Sequence, residues 1–280
     1  MKSSSTILRV LLVFVAICFI QMVAGIVVPM KTVLPPHSMR WLLLMNAVVA
    51  AALTFVAANA EWRGWRLGAA LAAIPLVIAS VNLLEGVVFL TNSQLEWGRI
   101  FVYTLVSAVL IIPVWMLLFG RRNKPPQEHF HPIASKSRGE RAWKFAVSDL
   151  TYIILYYGTG MIIFPYVKGF YATQHIPPLG TIVALQLLIR GPVFVLLCLS
   201  LTRILNLPRL SGAIAVGIVF TLLSGVAPLL IPNPVFPDSV RWVHFCEVTS
   251  ENFVFGAIVA WLWGRPKPEP GRIEAMQRAV

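Results

Sequence analysis

The chain has 280 residues, of which 58% are hydrophobic and 12% charged. A soluble domain is about half apolar and about a quarter charged, so this is the composition of a membrane protein. The net charge of +12 would suggest nucleic acid in a soluble protein. Here the basic residues fall in short connections between apolar runs, where topology and anionic lipid account for them and nucleic acid is not an expected partner.

A bilayer-spanning helix needs about 20 mostly apolar residues. Eight such runs follow along the chain, over 7–29, 40–59, 67–90, 98–119, 145–167, 179–202, 210–231 and 240–264. The first, behind Lys2 and Arg9, has the look of a signal peptide with a cleavage position after Gly25. Its apolar stretch is long enough to span, and it is expected to be retained as a first helix. The fold class expected is therefore all-α, a polytopic membrane bundle of about eight transmembrane helices.

The connections set the expected orientation. With the N-terminus in the cytoplasm, seventeen Lys and Arg residues fall on the inner side and five on the outer. That asymmetry predicts cytoplasmic termini, and the outline suits a bacterial cytoplasmic (inner) membrane. Seven of the seventeen lie in GRRNKPPQEHFHPIASKSRGERAWK, the one long polar connection. The expected organisation is a four-span half over 1–120, a basic cytoplasmic loop over 121–144, a second half over 145–265 and a tail over 266–280. Faint echoes link the halves: GIVVPMK with MIIFPYVK, and LFGR with LWGR. They would make the halves parallel repeats, as in some transporters.

Ionisable residues within the spans carry the functional argument. Each costs at least about 2.5–3.5 kcal/mol at bilayer depth for Asp, Lys or Arg, so such groups face a bundle interior or a wet cavity. Five stand out: Glu85, Arg190, His244, Glu247 and Glu251. His244, Glu247 and Glu251 follow i, i+3, i+7 spacing and share one helix face, which must point inward. On the expected topology Glu85 lies at the depth of His244 and Glu247, in the outer part of the membrane. Arg190 lies nearer the middle, at the level of Glu251, and is followed by Gly191-Pro192, a pair expected to kink the sixth helix. Asp149 and Lys144 fall near a helix end, where snorkelling to water is cheap, and are not counted.

Three carboxylates against one arginine and one histidine leave an excess of acid. One glutamate is then expected to be protonated, hydrated or cation-bound, although ion pairs that merely lock the bundle are the plain alternative. The tyrosines of TYIILYYGTG and the three cysteines, Cys18, Cys198 and Cys246, read as packing residues. The cysteine spacing supports neither disulfides nor a zinc site. His129 and His131 read as solvated loop residues.

No catalytic motif is recognisable: HExxH and GxSxG are both absent. His244, Glu247 and Glu85 would be the candidate ligands of a metal, but their spacing does not require one. No cofactor is indicated. The lipid bilayer is the one firm partner, and the oligomeric state is open. The reading favoured is a small-solute or ion transporter, proton-coupled, with Glu85, Arg190, His244, Glu247 and Glu251 as binding residues. The alternatives are an intramembrane metal-dependent hydrolase and a non-catalytic membrane subunit or scaffold.

Overall fold

A computed structural model describes residues 2–29, 38–90, 96–120, 137–174, 176–205, 207–232 and 236–264. These form eight helices long and apolar enough to cross a membrane. They are α1 (Lys2–Val27), α2 (Ser38–Asn59), α3 (Gly64–Phe89), α4 (Trp97–Phe119), α5 (Arg138–Tyr171), α6 (Leu179–Leu205), α7 (Arg209–Leu230) and α8 (Asp238–Trp263). The chain is an all-α polytopic helix bundle, and its periphery is lipid-facing. Leu117, Ile26, Met161 and Ile162 are each more than 70% exposed, a surface no soluble monomer presents on so many helices. Most of the loop residues 121–144 and all of the tail lie outside the described residues, as do His129 and His131.

The helices fall where the apolar runs predict them, with one clear difference. α5 starts at Arg138 and runs for 34 residues, seven before the expected span. Ser137 is its N-cap: the Ser137 hydroxyl oxygen accepts from the Glu140 backbone N–H at 3.0 Å. A capping serine with a glutamate three residues on starts a helix wherever it stands, in water or lipid. At 1.5 Å per residue α5 is roughly 50 Å long, well beyond a hydrocarbon core of about 30 Å.

α3 packs along α4, α1 along α2 and α4, and α8 along α7 and α5, while α2 touches the far ends of α6 and α7. The closest of these contacts is α7 on α8. A Cβ on Gly256 would stand 3.1 Å from the Gly217 Cα, and one on Gly217 would stand 2.9 Å from the Phe253 carbonyl oxygen. Lipid offers no hydrophobic drive between helices, so close backbone approach at small residues is what brings dispersion forces into play. This contact fixes the rotation of α8. Asn252 turns to α7, donating to the Ser224 hydroxyl at 2.9 Å, which leaves Glu251 facing the other way.

The kink expected at Gly191-Pro192 takes a different form. α6 stays continuous, but Gln186–Arg190 is a π-helical turn, closed by the Gly191 N–H on the Gln186 carbonyl. α7 repeats the device at Leu222–Val226, ahead of Ala227-Pro228. A proline ring collides with the carbonyl four residues back in an α-helix, and a wider turn is one way around that collision. Pro75, Pro113 and Pro165 are accommodated without one. The wide turn in α6 carries Gln186 and Arg190, both buried, and π-turns recur where side chains must be aimed at a site.

Candidate functional site: a polar core between four helices

The five ionisable residues singled out above lie on α3, α6 and α8, and α5 completes the enclosure. Glu85 on α3 forms an ion pair with Arg190 on α6. The pairing is reinforced on both sides. Gln186 donates to Glu85 Oε1 at 3.0 Å, and the Tyr156 hydroxyl approaches the same oxygen at 3.4 Å. Arg190 also donates to Asn82 Oδ1 at 3.3 Å and lies over the Phe194 ring, 5.1 Å from its centroid. Tyr152, fully buried, donates to Gln186 Oε1 at 3.0 Å. The result is a chain of hydrogen bonds from Tyr152 through Gln186 to Glu85.

The second group sits where α8 begins. His244 Nδ1 and Glu247 Oε2 are 2.7 Å apart, the i, i+3 pair that helix spacing predicts. The other ring nitrogen, Nε2, meets the Tyr171 hydroxyl at 3.0 Å. Phe236 and Tyr171 flank the imidazole, with ring centroids 5.4 Å and 5.9 Å away. Glu247 reaches over Gly160, where an added Cβ would stand 3.8 Å from Oε1.

Glu251 lies between them and is only 5% exposed. Among the described residues it has one hydrogen-bonding neighbour, Thr159 Oγ1 at 3.4 Å. It feels Arg190, Glu247 and Glu85 electrostatically, but Arg190 is already given to Glu85.

Matching depth points to Glu85 near His244 and Glu247; the hydrogen-bonding partners it has are Arg190, Gln186 and Tyr156. Depth follows from sequence position, but helix rotation does not, and α3 turns this face toward α6. The tyrosines of 151–160 are not simple packing: Tyr152 and Tyr156 both hydrogen-bond within the core. Gln186, Tyr152, Tyr156, Asn82 and Tyr171 were all missed. The i, i+4 spacing of Gln186 with Arg190, and the i, i+3 spacing of Asn82 with Glu85, were the available signals.

Among the described residues no three His, Cys, Asp or Glu side chains come together as a metal site requires. His244, Glu247 and Glu85 are not assembled as a ligand shell, because the Glu85 carboxylate is turned to Arg190. The cysteines are all free thiols, Cys198 buried and Cys246 exposed. Only Cys198 is thus a core packing residue.

The chain matches no protein-family profile, no curated protein and no solved structure. It is an integral membrane protein, and any finer reading of its function rests on the polar core.

Proposed function

We propose that the protein is a proton-coupled transporter of a small solute or ion, with Glu251 as the group that takes up and releases the proton. The supporting observation is the state of the Thr159 hydroxyl. It has one hydrogen, and the Leu155 carbonyl at 2.8 Å is much the better placed acceptor for it. Glu251 Oε2, at 3.4 Å from the same hydroxyl, therefore has no donor unless it brings its own proton. A carboxylate in that place would be buried, without a cation of its own, and near two other carboxylates. A carboxylic acid there donates to the Thr159 oxygen. Ion pairs that only lock a bundle would not leave an acid over.

The remaining residues divide the work. His244 and Glu247 form a hydrogen-bonded pair beside Glu251 through which a proton enters or leaves. Glu85, neutralised by Arg190 and held by Gln186 and Tyr156, forms the wall opposite. Substrate enters from the side where α8 begins, the outer side on the positive-inside reading. On that reading both termini lie in the cytoplasm, and the membrane we propose is a bacterial inner membrane. A single cysteine at Ser135, with Cys18, Cys198 and Cys246 replaced, should then react with an impermeant maleimide only after the cells are opened.

The test is made in proteoliposomes holding a pH-sensitive dye, with amino acids, sugars, organic anions and inorganic cations added in turn outside. One class is expected to drive protein-dependent acidification of the lumen, and Glu251→Gln to abolish it while the protein remains folded. Wild-type acidification by Glu251→Gln would remove the proposal. So would the absence of acidification with every class.

A further inference from the structure

Asp149 is a half-buried acid that the core described above does not use. It lies on α5 one turn before Tyr152, on the side of the core toward the α5 N-terminus. Its Oδ1 is buried with no hydrogen-bond partner among the described residues. The space it occupies is unusual. A Cβ built on Gly191 would collide with Asp149 Oδ1, and the same point is 3.0 Å from the Gln186 carbonyl oxygen and 3.0 Å from the Tyr152 ring. Two oxygens that both accept hydrogen bonds thus border one methyl-sized gap, where the α6 π-turn presses against α5.

An ionised Oδ1 in this position has no donor among the described residues and shares its space with another acceptor. The helices packed on α5 are α6 and α8. The charged and titratable groups these and neighbouring elements direct toward this part of α5 are Arg190, Glu85, Glu251 and the Tyr152 phenol, and Tyr152 interacts with each of the charged ones and with Asp149. None is within hydrogen-bonding distance of Asp149. Arg190 is given to Glu85, and Lys144, one turn earlier, is paired with Glu140 at 2.8 Å. A carboxylic acid suits the same position better, because its O–H can turn to the Gln186 carbonyl, which borders the same space and has a lone pair to spare.

We infer that Asp149 is a second proton-binding site, held as a carboxylic acid that donates to the Gln186 carbonyl at the π-turn. The ligand is a proton, and the inference extends the proton-coupled reading of the core without requiring Glu251 to be the carrier. With the proton present, α5 is tied to the turn that carries Gln186 and Arg190. When the proton leaves to water at the α5 N-terminal end, two bare oxygens remain and the tie is lost. The hydrogen-bond chain from Tyr152 through Gln186 to Glu85 starts one turn from this acid.

The chain makes the test clean, because it has only two aspartates, Asp149 and Asp238. The Asp238 side chain is 70% exposed and paired with Arg241. Infrared spectra of the full-length protein in lipid at about pH 5, above the ordinary aspartate range, should show a protonated-carboxyl C=O band that moves when aspartate alone is labelled with carbon-13. Asp149→Asn should remove that band, and its amide N–H can replace the lost donor. Glu251→Gln should leave it in place and remove a different one. A carboxyl region indifferent to aspartate labelling would overturn the inference, even if Asp149→Asn failed to fold. Loss of only the Glu251 band would leave the transport reading standing and reject Asp149. Loss of only the Asp149 band would do the reverse.

Discussion

Two of the polar groups between helices of this bundle are built on opposite plans. Between α1 and α2, Gln21 and Asn46 exchange hydrogen bonds reciprocally, at 3.0 Å from Gln21 to Asn46 and 2.7 Å in return. The Asn46 amide also approaches Cys18 Sγ at 3.5 Å. That clasp is neutral, closed and complete. The core between α3, α5, α6 and α8 holds three carboxylates, one guanidinium and one imidazole, and Glu251 is left over. Among the described residues Arg190 Nε is also buried without a partner. A clasp whose task is to hold two helices has no reason to leave groups unpaired, because each costs about 1–3 kcal/mol. The second group bears that cost, and a site that must exchange a proton or a solute has reason to.

The largest expected effect comes from breaking the charged pair on one side only. Arg190→Met leaves Glu85 buried without its cation and should cost about 3–5 kcal/mol of stability. Reversible unfolding in mixed micelles by added SDS would measure it. Changing both partners, Arg190→Met with Glu85→Met, should recover most of that loss and still leave the protein inactive in the proteoliposome assay. If the double variant stays active, the polar core is structural and the contrast with the clasp disappears.

Gly191→Ala should come next. Its methyl enters the space shared by Asp149 Oδ1, the Gln186 carbonyl and the Tyr152 ring. Overpacking of that kind costs about 1–3 kcal/mol. The α-helical propensity of alanine works in the other direction by about 1 kcal/mol, so a net loss of stability in the same unfolding assay would show that the α5–α6 contact dominates.

What the sequence disclosed follows from these energies. The spans are legible because each is an apolar run of at least about twenty residues, and water and lipid separate such runs sharply. Glu85, Arg190, His244, Glu247 and Glu251 are legible because charge in a span is expensive enough to demand a reason. The partners of those charges are neutral, and Gln186, Tyr152 and Tyr156 carry no comparable penalty. Asp149 reads as an end residue in a span that begins near 145. The Ser137 cap adds two turns, so Asp149 stands more than ten residues inside the helix. Helix rotation was not legible at all. It is set by contacts such as Gly217 on Gly256, which join residues 39 positions apart.

The clasp supplies the complementary experiment, with a smaller effect. Asn46→Leu leaves the Gln21 amide unpaired, and hydrogen bonds between membrane helices average about 0.6 kcal/mol with a maximum near 1.7. The double change, Gln21→Leu with Asn46→Leu, removes both partners and should fall within about 1 kcal/mol of the parent. Transport should be unaffected by either. Activity lost in the clasp double variant with stability intact would mean that the two polar groups work together.

The smallest effect expected is that of Tyr171→Phe, and it bears on how the His244 pair is arranged. Nδ1 of a neutral His244 carries the hydrogen when it donates to Glu247 at 2.7 Å, and Nε2 then accepts from the Tyr171 hydroxyl at 3.0 Å. Both contacts are satisfied by one tautomer, which is the usual way a histidine is fixed. Removing the hydroxyl takes away one hydrogen bond between membrane helices, about 0.6 kcal/mol on average and half of what the clasp loses, while the ring remains packed against the imidazole. The Glu247 contact still selects the Nδ1–H form, so the nitrogen-15 spectrum of His244 should keep that tautomer. Glu247→Gln should be the change that alters it, because a side-chain amide can either accept from Nδ1–H or donate to Nδ1. If Tyr171→Phe alone switches the tautomer, the hydroxyl and not the carboxylate orients the ring. Tyr171 would then replace Glu247 as the partner that sets His244 beside Glu251.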